Sequence, residues 1–219
     1  MDFAAIFQIW KTVLMTPGEA VFEQERVKPT ATFNTAIIWI VIAAVITAVL
    51  GVLQGLIFFN AGTLSQMIGM MNLPPDVTQQ MRVMMSSGIM SSIVGGAGLA
   101  TIISAPIGFV ISVGIWHLLA KLLKGQGDFG NFAYLIATFR APIMIISAIL
   151  NFVPGLGGCL SAILSIYGLV LTYYATKVEY NLTSGKAIAV VIIPILVVIL
   201  LFACIIFGFV GLIMSTQNN

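Results

Sequence analysis

Long apolar runs separated by short polar stretches dominate this chain. Five runs stand out: Thr35–Phe59, Val94–Leu119, Phe132–Val153, Leu156–Thr176 and Ala187–Met214. Each reaches the roughly 20 residues that a helix needs to cross a hydrocarbon core of about 30 Å. Only a helix satisfies its own backbone in lipid over segments this long and this continuously apolar. The pattern therefore predicts an all-α polytopic membrane protein with five transmembrane helices.

The segments outside the runs carry a helical period of their own. Phe3, Ile6, Phe7, Trp10, Val13 and Leu14 recur at helix spacing, with Gln8, Lys11 and Thr12 between them. That is an amphipathic helix, lying on the cytoplasmic leaflet or against the bundle. It should stop at Thr16, because Pro17-Gly18 cannot continue it. A second short helix, Glu19–Val27, should follow, with Pro17 in its first turn and Glu19 at its positive end. The chain thus divides into a cytoplasmic amphipathic segment, 1–34, and a five-helix transmembrane domain, 35–215. Pro17, Glu19 and Phe22 are the candidate docking residues of the first segment.

The loop after the first run carries seven of the eleven methionines: Met67, Met70, Met71, Met81, Met84, Met85 and Met90. Pro74-Pro75-Asp76 should start a helix with Val77, Met81, Met84 and Met85 on its apolar face. Such a Met-rich face adapts to irregular surfaces, so an external interfacial helix is expected there. In the second run Ser92, Gly96, Ala100, Ser104, Gly108 and Ser112 follow one another at intervals of four. One helix ridge stripped of bulk makes a groove that a neighbouring helix, or a lipid chain, could occupy. Packing within the bundle is the expectation, and Pro106 should kink this helix.

Composition agrees with the pattern: 60% of residues are hydrophobic and only 7% charged, against about a quarter charged in soluble domains. The charges give orientation. Seven of the nine Lys and Arg residues (Lys11, Arg26, Lys28, Lys121, Lys124, Lys177 and Lys186) fall on one side of the five runs, and only Arg82 on the other. Cytoplasmic loops carry the basic excess, so the amino terminus should be cytoplasmic and the carboxyl terminus external, in a cell membrane. The start, Met1-Asp2-Phe3, lacks the basic region of a cleavable signal.

Candidate chemistry is sparse. Catalytic, metal and cofactor sites are not expected, because His117 is the one histidine and nothing near it supplies further ligands or a nucleophile. Cys159 and Cys204 fall at different depths and should not pair. The glycine-rich turn Lys121–Asn131 lacks the GxxxxGK[ST] order of a phosphate-binding loop. Nucleic acid is excluded, since no basic cluster with exposed aromatics exists. Arg140, inside the third run, is the residue that asks for a reason. A mid-membrane Arg costs at least about 2.5 kcal/mol to insert, so it should face inward and pair with Asp128 or Glu179. With His117, these residues form the candidate polar centre; snorkelling to the headgroups is the alternative.

Three stretches suggest a family. Leu14-Met15-Thr16-Pro17-Gly18-Glu19-Ala20-Val21-Phe22 resembles an element before the first span of prokaryotic Yip proteins, the Ypt (Rab)-interacting membrane proteins. Gly125-Gln126-Gly127-Asp128-Phe129 with Ala141-Pro142 resembles a second element of that family. Val153-Pro154-Gly155, Tyr167-Gly168 and Ser184-Gly185-Lys186-Ala187 resemble its tail. The resemblance implies a five-helix membrane protein with a cytoplasmic amino terminus. Eukaryotic relatives bind prenylated Rab GTPases and carry a longer polar cytoplasmic region than residues 1–34, so the prokaryotic type is the nearer likeness. The resulting expectation is a non-enzymatic membrane protein acting through helix, lipid or protein contacts, with a role in membrane organisation or akin to trafficking. Its partners would be membrane lipid, a membrane or cytoplasmic protein, or a second copy of itself. The alternative is a small transporter or lipid-translocating protein using the second-run groove and Arg140.

Overall fold

A computed structural model describes residues 3–58, 74–86, 89–153 and 156–217, and all regular structure among them is helical. The elements are α1 (Phe3–Met15), α2 (Glu19–Arg26), α3 (Phe33–Phe58), α4 (Pro75–Ser86), α5 (Ile89–Leu122), α6 (Phe129–Leu150), α7 (Leu156–Tyr180) and α8 (Ser184–Gln217). Five of them, α3, α5, α6, α7 and α8, are long and apolar enough to cross a membrane. At the end near Asp128 the helices run further than the apolar runs, because polar residues cap and extend them. Capped by Asp128, α6 starts at Phe129, three positions before Phe132, and α7 continues past Thr176 to Tyr180. Pro106 sits inside α5 without ending it.

Neighbour contacts close the spans into a ring in the order α3, α5, α8, α7, α6, with α5 also touching α6 and α7. The hub is α6, buried on nearly every side from Phe132 to Phe139. Small residues set how closely α3 approaches it: Ala36, Ala43, Ala44, Ala48 and Gly55 are all buried. Gly98 of α5 meets the same face, where an added Cβ would lie 2.8 Å from Val52 Cγ2. Gly51, four positions before the buried Gly55, has open space beside it instead.

Of the two places expected for α1, the structure takes the one against the bundle. Val13 is fully buried, and Trp10 meets Trp39 edge-on with centroids 6.0 Å apart. The Leu14 carbonyl accepts a 2.6 Å hydrogen bond from the Tyr167 hydroxyl. Tyr167 lies about 20 Å along α7 from Tyr180 at 1.5 Å per residue, so α1 inserts beside the spans. Pro17 precedes α2 rather than forming its first turn, because Gly18 is the N-cap. Of the Met-rich loop, Met67, Met70 and Met71 lie outside the described residues, as do the side chains of Met81, Met84, Met85 and Met90. The helix expected from Pro74-Pro75-Asp76 is present as α4, with Val77 and Val83 exposed. Cys159 and Cys204 are both free.

Candidate functional site

Chain turns at one end of the ring bring together most of the polar residues. Asp128 caps α6, its Oδ1 accepting from Gly130 N at 2.7 Å and Asn131 N at 3.0 Å. Its own N–H donates to Glu179 Oε1 at 2.7 Å, across the sequence gap between α6 and the end of α7. Glu179 is buried, and its Oε2 has no hydrogen-bond partner among the described residues. Arg26, paired with Glu23 at 2.9 Å, is near enough to act on Glu179 electrostatically. His117 Nδ1 shares a 2.5 Å hydrogen bond with the Tyr180 hydroxyl, and its ring meets Phe129 edge-on.

The glycine-rich turn exists for this junction. A Cβ on Gly127 would stand 2.6 Å from the Glu179 carbonyl oxygen, and one on Gly125 would stand 2.7 Å from Tyr180 Cβ. Two helix ends close the layer in the same way. Lys124 (φ 68°) and Asn181 (φ 51°) take left-handed conformations. The N–H groups after them, Gly125 and Leu182, reach back to the Ala120 and Lys177 carbonyls. This is the pattern by which helices satisfy their last carbonyls. Ion pairs and hydrogen bonds tie in the rest: Lys177 to Glu19 at 2.5 Å, Lys186 Nζ to the Leu123 carbonyl at 3.1 Å, and Tyr134 Oη to buried Glu25 at 3.1 Å.

The structure therefore joins Asp128, Glu179 and His117 in one layer but leaves Arg140 out of it. Twelve positions along α6 separate Arg140 from Asp128, about 18 Å, which is beyond the reach of a guanidinium. Asp128 spends its carboxylate on the cap, Glu179 is held beside it at the same end, and neither forms an ion pair with the arginine. Instead Arg140 opens into a cavity of about 550 Å³ inside the ring, lined by α3, α6, α7 and α8. Thr47, Ser147, Ser165 and Asn151 line the same space. Among the described residues Arg140 has no ion-pair partner, and the hydroxyl of Thr47 is buried without a hydrogen bond. Asn151 accepts from Gln54 Nε2 through its carbonyl and from Ser161 through its side chain.

The other two candidate sets are placed differently from expectation. Ala100, Ser104 and Gly108 face outward, a Cβ on Gly108 would meet nothing within 4 Å, and Ser112 is half-buried with its hydroxyl on the Phe109 carbonyl. Gly96 and Ser92 have no described surroundings. The buried face of α5 is instead Phe109, Val113, Trp116 and Ala120, because large aromatic side chains fill the space between helices better than a row of small ones. Phe22, expected to dock a partner, is fully buried between Phe139 and Tyr174. Glu19 is taken by Lys177, and Pro17 alone is exposed and uncommitted.

The sequence held a signal for the cavity that the run-by-run view missed. Arg140, Ser147 and Asn151 are spaced by seven and four, one face of α6, and Ser165 and Gly168, three apart, share a face of α7. Glu25 had no such signal; only the fold shows that it is buried. No curated protein and no solved structure matches this chain. The Yip1 domain, in contrast, matches residues 10–205, from α1 through most of α8. A match of that extent, on five spans in the expected order, makes this chain a member of the Yip1-domain family of membrane proteins.

Proposed function

We propose that this protein is a non-enzymatic membrane protein that works through lipid and protein contacts, with its amino terminus in the cytoplasm and its carboxyl terminus outside. The observation that carries the orientation is the gathering of Arg26, Lys28, Lys121, Lys124, Lys177 and Lys186 at the end of the ring built on Asp128 and Glu179. Lys11 does not belong to that group: it borders an apolar cleft beside Pro142 and Ile146. The basic bias remains strong without it, and basic residues stay on the cytoplasmic side. Contact function is supported by how the polar groups are used. His117 is engaged by Tyr180 and Asp128 by a helix cap, which leaves neither as a base for a nucleophile. The outer faces of α3, α5, α7 and α8 show exposed Ile, Leu, Val and Phe along their lengths, a surface for lipid chains or partner helices.

Single cysteines at Gln24 and Gln79, both exposed, in a background lacking Cys159 and Cys204 test the orientation. An impermeant maleimide should label position 79 and spare position 24 in intact cells; the reverse refutes it. Reconstitution tests the mode of action. Vesicles containing the protein should scramble a labelled phospholipid no faster than empty ones, and rapid scrambling would establish the translocating alternative.

A further inference from the structure

We propose that the cavity around Arg140 binds a hydrophobic acid, meaning one carboxylate or phosphate headgroup on a hydrocarbon body. Arg140 lies near the middle of α6, at the depth where a cation most needs an answering charge. Its guanidinium cannot shed the proton to escape that need. Among the described residues the fold supplies no acid there. Glu19, Glu23, Glu25, Asp128 and Glu179 are all held at the basic end in bonds of their own. The planar fork of an arginine suits a carboxylate or phosphate, which takes two parallel hydrogen bonds from it.

Two further features fix the class of ligand. Thr47, whose hydroxyl is buried without a hydrogen bond, stands in the wall of the same cavity, and Ser147 and Ser165 add hydroxyl-bearing side chains to that wall. Apart from Ser147, Ser165 and Asn151, the remaining walls are apolar, with Phe139, Ile143, Met144, Leu164, Leu169 and Ile195 among them. A volume of about 550 Å³ lies within the range of ligand sites, roughly 300–1,000 Å³. An acid without a hydrocarbon body would leave these walls wet, and a hydrocarbon without an acid would leave Arg140 unpaired. Only a molecule with both parts satisfies the cavity. The spacing of Arg140, Ser147 and Asn151 extends it toward the end opposite the basic layer, which gives the ligand a polar-edged way in.

The test uses the full chain in phosphatidylcholine nanodiscs, with the melting temperature followed against oleate, oleyl alcohol and acetate. Oleate should stabilise saturably, with one bound per chain by native mass spectrometry. Oleyl alcohol, the same body without the charge, should bind roughly tenfold or more weakly, as expected for loss of a charge-assisted pair, and acetate should have no effect. In Arg140→Leu the difference between oleate and its alcohol should vanish, while Arg140→Lys keeps part of it. Adding phosphatidylglycerol identifies the source: competition with oleate assigns the site to a lipid headgroup, and no competition assigns it to a free acid. Equal binding of oleate and oleyl alcohol to the unaltered protein overturns the proposal, and so does an oleate preference that survives Arg140→Leu.

Discussion

Glu179 and Arg140 each put a formal charge among apolar helices of the same ring, and the protein treats them in opposite ways. Around Glu179 the chain has rebuilt itself. Two glycines make room, Asp128 donates its backbone N–H, Tyr180 reaches His117, and two left-handed residues end their helices cleanly. Around Arg140 nothing comparable exists among the described residues: it faces a cavity whose walls are largely apolar, edged by Ser147, Ser165 and Asn151. A charge enclosed by its own fold contributes to holding that fold together, because removing one partner leaves the others buried and unsatisfied. A charge left facing a cavity adds little to the fold and is available to something else. The comparison separates the residues that hold the bundle from those it presents.

The largest effect should come from where the amino-terminal segment enters the basic layer. Phe22→Ala empties a fully enclosed site between Phe139 and Tyr174, and truncating a buried Phe costs about 3–5 kcal/mol. Detergent melts should show this loss; an unchanged melt would mean that α2 is only a surface appendage. Gly127→Ala comes next. Its methyl group would press on the Glu179 carbonyl, and overpacking of this kind costs about 1–3 kcal/mol. Smaller still is the contrast within α5. Gly98→Leu should destabilise by a similar overpacking against Val52, whereas Gly108→Leu, with open space beside it, should melt with the parent. If the two glycines behave alike, the outward face assigned to the small-residue row is wrong.

Much of this fold is legible from residue patterns, because lipid permits few ways to satisfy a backbone. Run length and hydropathy give the five spans, and Asp128 before an apolar run is a recognisable cap. Less legible is which face of a span points inward. Lipid tails are as apolar as the interior, so the small row Ala100, Ser104 and Gly108 reads as a packing face while Phe109, Val113 and Trp116 fill that role. Phe22 misleads for a related reason: an aromatic residue in a short polar helix looks like a docking residue until the groove that receives it is known. The partners of Arg140 were out of reach because charge pairing depends on depth. Asp128 is near in sequence, but a straight helix carries it about 18 Å away.

Melting of Arg140→Leu beside Glu179→Leu, in one detergent without added lipid, tests this division most directly. Glu179→Leu should lower the melting temperature clearly, because the Asp128 N–H loses its acceptor and the packed turn loses its anchor. Arg140→Leu should match or exceed the parent, since it removes a cation that the fold leaves unpaired and adds apolar contact to the cavity wall. A loss of stability in Arg140→Leu equal to that in Glu179→Leu would contradict the account, and would make Arg140 part of what holds the bundle together.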